Sequence, residues 1–260
     1  MTRMSLSRAV PLSIAWIALF FLFVASPAFA EKPTWAKKGV SFIGRCFAHD
    51  EEDCRPLTIP APDGQSVLEL RYRKIMFDED GYVVSAVLRV MKNGESGGEV
   101  NLSGWAEDEV EWSSDSTAFF VNESDGGEGP RFVVVYHVDD TKAKSPSVIA
   151  AVQRDMVASF PPCKAKYALP EFCKSLAKHP EYINVVAVGW ASGASSIIVM
   201  AEVPCTSAYG GIMCQVMGYE VETSTGKILD RMSAEEFAAR WQKSMAWKFR
   251  VPAPPEYARK

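Results

Sequence analysis

Histidine is scarce in this chain: among 260 residues there are three, His49, His137 and His179. No C-x-x-C pair occurs, so a thioredoxin-like redox motif is excluded, and the C-x2-4-C spacing of structural zinc sites is missing too. Neither the G-x-x-x-x-G-K-[ST] loop nor a G-x-G-x-x-G loop is present, which removes the usual phosphate cradles. No clustered run of Lys and Arg accompanies the net charge of −4, so nothing electrostatic draws nucleic acid. Past residue 25 no apolar run is long enough to cross a bilayer.

What is present begins with an export pattern. Arg3 and Arg8 precede the uncharged stretch Ala9 to Ala25, and Ala28 and Ala30 flank Phe29 before Glu31. Positive, apolar and small-residue segments in that order predict a secretory signal over 1–30, cleaved after Ala30. Its removal takes away two basic and no acidic residues, leaving 26 against 32 and a net charge of −6. The expected product is periplasmic or secreted, with no membrane span.

Six cysteines follow: Cys46, Cys54, Cys163, Cys173, Cys205 and Cys214. An even count in an exported chain predicts disulfides. Cys46 and Cys54, isolated near the N-terminus, are the favoured pair. The other four either pair locally, as Cys163–Cys173 and Cys205–Cys214, or cross between their two segments.

The hydrophobic fraction of 48% is that of a globular domain, here a single β-rich one over 31–250 with a loose tail at 251–260. Val40 to Ala48 reads as a strand. The following stretch through Gln65, with acids, prolines and Asp63-Gly64, reads as a loop. Residues 66–77 alternate, with Leu68, Leu70 and Tyr72 opposing Val67, Glu69, Arg71 and Arg73, as in a strand with one wet face. Residues 82–91 form its partner, and KNGESGGE after them reads as a turn. Two Trp-marked units then echo each other, at about 105–140 and 183–230. Each runs strand, Trp (112 or 190), polar turn, strand, glycine-bearing loop, strand.

Between them lies a helical insert near 146–160. Ser145 is its N-cap and Pro146 its first position, with Ile149, Val152, Met156 and Phe160 on one face. Pro170 and Pro180 bracket a shorter helix. A last helix is expected near 233–248, opened by a Ser233/Glu236 capping box and carrying Phe237, Trp241 and Met245 every four residues.

The stretch WSSDSTAFF resembles the W-S-P-D-G-x-x-I-A-F motif of WD40-like repeats in TolB-type periplasmic proteins. Ser114 stands in place of Pro and Ser116 in place of Gly, and the second copy has Gly193 where Asp is expected. The order of elements from Trp112 to Trp241 is also similar to that of a group of uncharacterised exported bacterial proteins. The resemblance implies antiparallel, propeller-like sheets. It brings no activity with it.

No catalytic, cofactor or metal site is assigned from these residues. His49, in a loop beside Asp50, and His137, within an apolar strand, are the candidate bases. A nucleophile elbow is not read, and in GWASG the serine, Ser192, stands one position too late for one. Asn122, Asp125 and Glu128 offer oxygen ligands in NESDGGEG, without the EF-hand spacing. Trp112 and Trp190 are expected in the core between sheet layers. The functional expectation is a non-enzymatic binding module of the bacterial envelope, whose partner is an envelope protein or glycan. The alternative is a secreted hydrolase with a scattered active site.

Overall fold

The computed structural model describes residues 34–47, 54–78, 81–102, 107–124, 131–139, 146–159, 171–205, 209, 212–246, 248 and 250–251. Residues Lys32–Lys260 form one compact unit; Met1–Glu31 lie outside the described residues. Among the described residues the architecture is mainly β, with three α-helices.

Eight strands make the larger sheet: β1 (Val40–Ile43), β7 (Glu107–Trp112), β8 (Ala118–Ser124), β9 (Arg131–His137), β10 (Asn184–Ser192), β11 (Ser196–Glu202), β12 (Val216–Glu222) and β13 (Ile228–Met232), in that spatial order. Both Trp-marked units therefore lie side by side in one sheet. All neighbours are antiparallel except β9 and β10, which meet in parallel at Phe132 and Val185. That parallel step needs a crossover, supplied by α1 (Pro146–Ser159) and α2 (Glu171–Lys178).

The smaller sheet holds β2 (Arg45–Phe47), β3 (Leu57–Pro60), β4 (Ser66–Asp78), β5 (Gly81–Lys92) and β6 (Glu95–Asn101), with β4 and β5 its long central hairpin. The strand expected over 40–48 is broken at Gly44, and its halves join different sheets. Two stretches read as non-strand are strands. Leu57–Pro60 pairs along β4 at the sheet edge, where a terminal Pro costs no ladder bond. ESGGEVN is β6, returned by a tight Asn93-Gly94 turn with both residues at positive φ. Its polarity, seven residues with only Val100 buried, hid it.

Three clusters account for the core. One fills the seam between the sheets, with Leu68, Leu70 and Leu88 from the smaller sheet facing Val110, Trp112, Phe119 and Tyr136 from the larger. On the opposite face of the larger sheet, Val148, Val152 and Met156 of α1 and Leu176 of α2 pack on Phe120, Val135, Ile197 and Tyr219. The third cluster lies under α3 (Ala234–Trp241), where Phe237 covers Val188, Ile198 and Met232. Phe237 sits where a Cβ on Gly218 would go, so that glycine permits the helix to dock. The α3 capping box forms as expected. The helix is shorter than 233–248, because a 3-10 turn at Gln242–Ser244 ends it and Met245 turns extended to bridge Ala36. Met245 still reaches the cluster beside Phe237, so the four-residue stripe keeps its packing role without a continuous helix.

Cys205 and Cys214 form a disulfide, with Cα atoms 4.5 Å apart, across a sequence separation of 9. Cys54 and Cys173 are also disulfide-bonded, to partners whose side chains lie outside the described residues. Among the described residues no helix is long and apolar enough to cross a membrane.

Candidate functional site

The sequence-level candidates divide sharply. His49, Asp125, Glu128 and Trp105 lie outside the described residues. His137 ends β9, half-buried, across from Ala118. Asn122 is no exposed metal ligand. Its Nδ2 donates to Glu109 Oε2 at 3.0 Å and to the Ala187 carbonyl at 2.9 Å, while its Oδ1 accepts the Ala187 N–H at 2.8 Å. The amide thus ties β8 to β10 near the short β9–β10 junction, 4% exposed, with its oxygen turned to the Ala187 N–H and not to solvent. G-x-S-x-G does occur in the chain, at Gly94 to Gly98. Here it spans the β5–β6 turn and the start of β6, between two strands. A nucleophile elbow needs a strand-to-helix turn, so Ser96 is not one.

The acids of β7 are equally committed. Glu109 is 3% exposed and accepts the N–H groups of Trp35 and Ala36, at 2.8 and 2.7 Å, besides the Asn122 amide. Burial pushes its carboxyl up to about 7 against the pull of those three donors. Glu111, 8% exposed on the same strand, rises to about 7 as well, through burial first and then the nearby Glu109 charge. Filled by backbone donors and closed to solvent, Glu109 works as a clamp on the N-terminal segment.

At the tips of the Trp hairpins the two units touch. The Asp115 carboxylate accepts the Ala194 N–H at 2.9 Å, and the Ser113 hydroxyl and both Thr117 donors converge on it. Desolvation opposes these bonds, and their combined effect holds the carboxyl at about 2. Gly193, at φ +51, leaves room for it: a Cβ there would run into Asp115.

A concave site lies elsewhere, between α1 and the edge strand β13. An open groove of about 480 Å3 is lined by Ala151, Arg154, Asp155 and Ala158 from one side of α1, by Gly226 in the β12–β13 turn, and by Ile228 and Arg231 of β13. The helix positions are spaced three, one and three apart, so they share one stripe, and two of the four are alanine. Small residues at 151, 158 and 226 are what make the depression. Inside it, Arg231 Nε donates to Asp155 Oδ2 at 2.6 Å, and Nη2 donates to Oδ1. Ser159 Oγ adds a bond at 3.2 Å. The Tyr219 hydroxyl lies near both Met217 Sδ, at 3.5 Å, and this carboxylate, which is the stronger acceptor. The Arg231 guanidinium above all holds the Asp155 carboxyl below the usual carboxylate range. Arg154 is exposed and has no side-chain acceptor among the described residues.

Nothing in the sequence pointed to this groove. Its two walls lie 76 residues apart, and the helical stripe that marks it faces away from the apolar one that marks the core. No family model matches the chain, and no curated protein or solved structure does.

Proposed function

We propose that the protein is an exported, disulfide-bonded, non-enzymatic binding module of the bacterial envelope, and that it takes its ligand in the groove between α1 and β13. The groove carries the reading. Its volume falls within the range of small-molecule sites, roughly 300–1,000 Å3. Its polar groups converge from two elements on a floor of small residues. The acids that stand out by their raised pKa, Glu109 and Glu111, are occupied or buried elsewhere. Export rests on the signal-like pattern of residues 1–30, and the oxidised cysteines suit that compartment.

In both hairpins the Trp pairs with the residue seven positions on, which supports reading them as diverged copies of a propeller-like, WD40-type hairpin. Their tryptophans enter opposite faces of the sheet, so the likeness is limited to the hairpin and does not extend to a whole blade.

The test is a melting-temperature screen of the mature protein against envelope glycans and envelope extract. An Ala158→Leu variant that fills the groove serves as control. A ligand should raise the melting temperature of the parent protein and leave the filled variant unmoved. Turnover of an ester, peptide or glycan substrate that disappears with His49→Ala or His137→Ala would instead establish the hydrolase. Recovery of the intact precursor from the cytosol would remove the envelope from the reading.

A further inference from the structure

The side chains of the groove have many more donors than acceptors to spare. Asp155 receives two N–H groups from Arg231 and the Ser159 hydroxyl, which occupy three of the roughly four lone-pair positions of a carboxylate. Each guanidinium carries five N–H groups. Arg231 has therefore three left after its fork to Asp155, and Arg154 has all of its own available to a ligand. The charges follow the same count. Arg231 and Asp155 cancel, leaving the single positive charge of Arg154 in a depression otherwise lined by Ala151, Ala158, Gly226 and Ile228.

We infer that the groove binds a carboxylate-bearing sugar, its one negative charge on Arg154, with Arg231 as the aligned second donor and the ring laid on the methyl groups of Ala151 and Ala158. The inference rests on the binding reading above and specifies its ligand. A monoanion matches the single uncompensated charge; a phosphate dianion exceeds it. Planar guanidinium forks suit carboxylate oxygens in pairs. Asp155 is what makes Arg231 useful, because a fork fixed on one side loses less rotational freedom when it bonds on the other. A peptide terminus is disfavoured: it would dock as a further strand on β13, and the irregular register between Asp230 and Ile228 breaks the ladder it would need.

Titration of the mature protein, followed by amide chemical shifts, tests this with three probes: D-glucuronate, D-glucose and the dipeptide alanyl-alanine. Glucuronate should move residues of α1 and β13, at least tenfold more tightly than glucose, and should weaken as salt is raised. Arg154→Gln should cost at least tenfold in glucuronate affinity and leave the melting temperature where it was, since Arg154 is exposed and supports no other side chain. Arg154→Lys should recover only part of the loss, because a point charge replaces a fork. Equal binding of glucose and glucuronate, abolished by Ala158→Leu, would overturn the charge inference and leave the binding module standing. Glucuronate binding indifferent to Arg154→Gln would overturn the placement. Response to alanyl-alanine alone would overturn the sugar, and silence from all three probes would overturn the inference.

Discussion

The two tryptophan hairpins are the same device set in opposite directions. In each, the Trp pairs with the residue seven positions on, Trp112 with Phe119 and Trp190 with Ile197. Trp112 enters the seam between the sheets, 7% exposed, stacked edgewise on Phe119 at 5.4 Å, and its Nε1 donates to the Ile59 carbonyl at 3.1 Å. Trp190 faces the helical layer, half-buried beside Phe120 at 5.7 Å, with its Nε1 buried and without a hydrogen-bond partner among the described residues. The cause is one extra residue. Ala187 faces Val199, but Gly189 faces Ile198, so a bulge lies between them and reverses the side-chain phase before Trp190. Gly189 takes φ +152, which a side chain would resist. The extra residue thus aims Trp190 at the helices, where Trp112 fills the seam, and a second register shift follows between Trp190 and Ser192.

Removing each tryptophan in turn should separate the two roles most strongly. Trp112→Ala is expected to cost about 3–5 kcal/mol, as for large aromatic deletions in a packed core. Trp190→Ala, from a half-exposed site with no hydrogen bond to lose, should cost clearly less. Urea unfolding of both variants measures the gap, and equal losses would mean that the faces are equivalent after all. Next in size is the staple that closes the loop between β11 and β12. Replacing Cys205 and Cys214 by Ser should cost about 2–3 kcal/mol by loop entropy, read as a lower denaturation midpoint than the parent's under oxidising conditions.

The contact between the tips comes third. Asp115→Ala gives up hydrogen bonds at an exposed position, about 1–2 kcal/mol in all. Gly193→Ala should bring a similar loss, from the strained φ and the collision with Asp115. If the two losses arise at one joint, the double variant will lose less than their sum. The Asp115 contribution is present above its ordinary pKa near 3.8 and vanishes as pH falls through about 2.

The smallest effect concerns the strands that lead into the hairpins. β7 carries Glu109 and Glu111; β10 carries no acid. Both glutamates are raised from 4.5 to about 7. Their stabilisation is therefore complete below pH 4.5 and is lost as pH climbs through 7. The melting temperature should fall modestly from pH 5 to pH 8. Glu111→Gln should flatten that slope, and a melting temperature that instead rises over the interval would contradict it.

Sequence periodicity made the β-rich class, the crossover helices and the echo readable, because Leu68, Val152, Phe237 and their neighbours repeat at the spacing of their elements. It did not reveal β6, whose glycines and acids follow no alternation, or the end of α3 at Trp241, where Ala36 claims Met245 for a strand bridge. Nor could it expose the phase reversal before Trp190: a bulge is a mismatch between two strands, and one strand's letters do not contain it. The groove was hidden for a related reason. Its floor consists of alanines and a glycine, which count for little in any pattern and matter here by what they leave empty.

One further property belongs to the segment held by Glu109. Lys37 N–H donates to the Ser244 carbonyl at 2.7 Å, and Ala246 N–H donates to the Trp35 carbonyl at 3.1 Å. The backbone of Trp35 and Lys37 thus finds partners at Ala246 and Ser244, more than 200 residues further along the chain. Until residue 246 has emerged, this seam has nothing to close against. Glu109 can grip Trp35 and Ala36 before that point, but the bridge from Ala36 to Met245 is a closing step that waits for the end of synthesis of this seam.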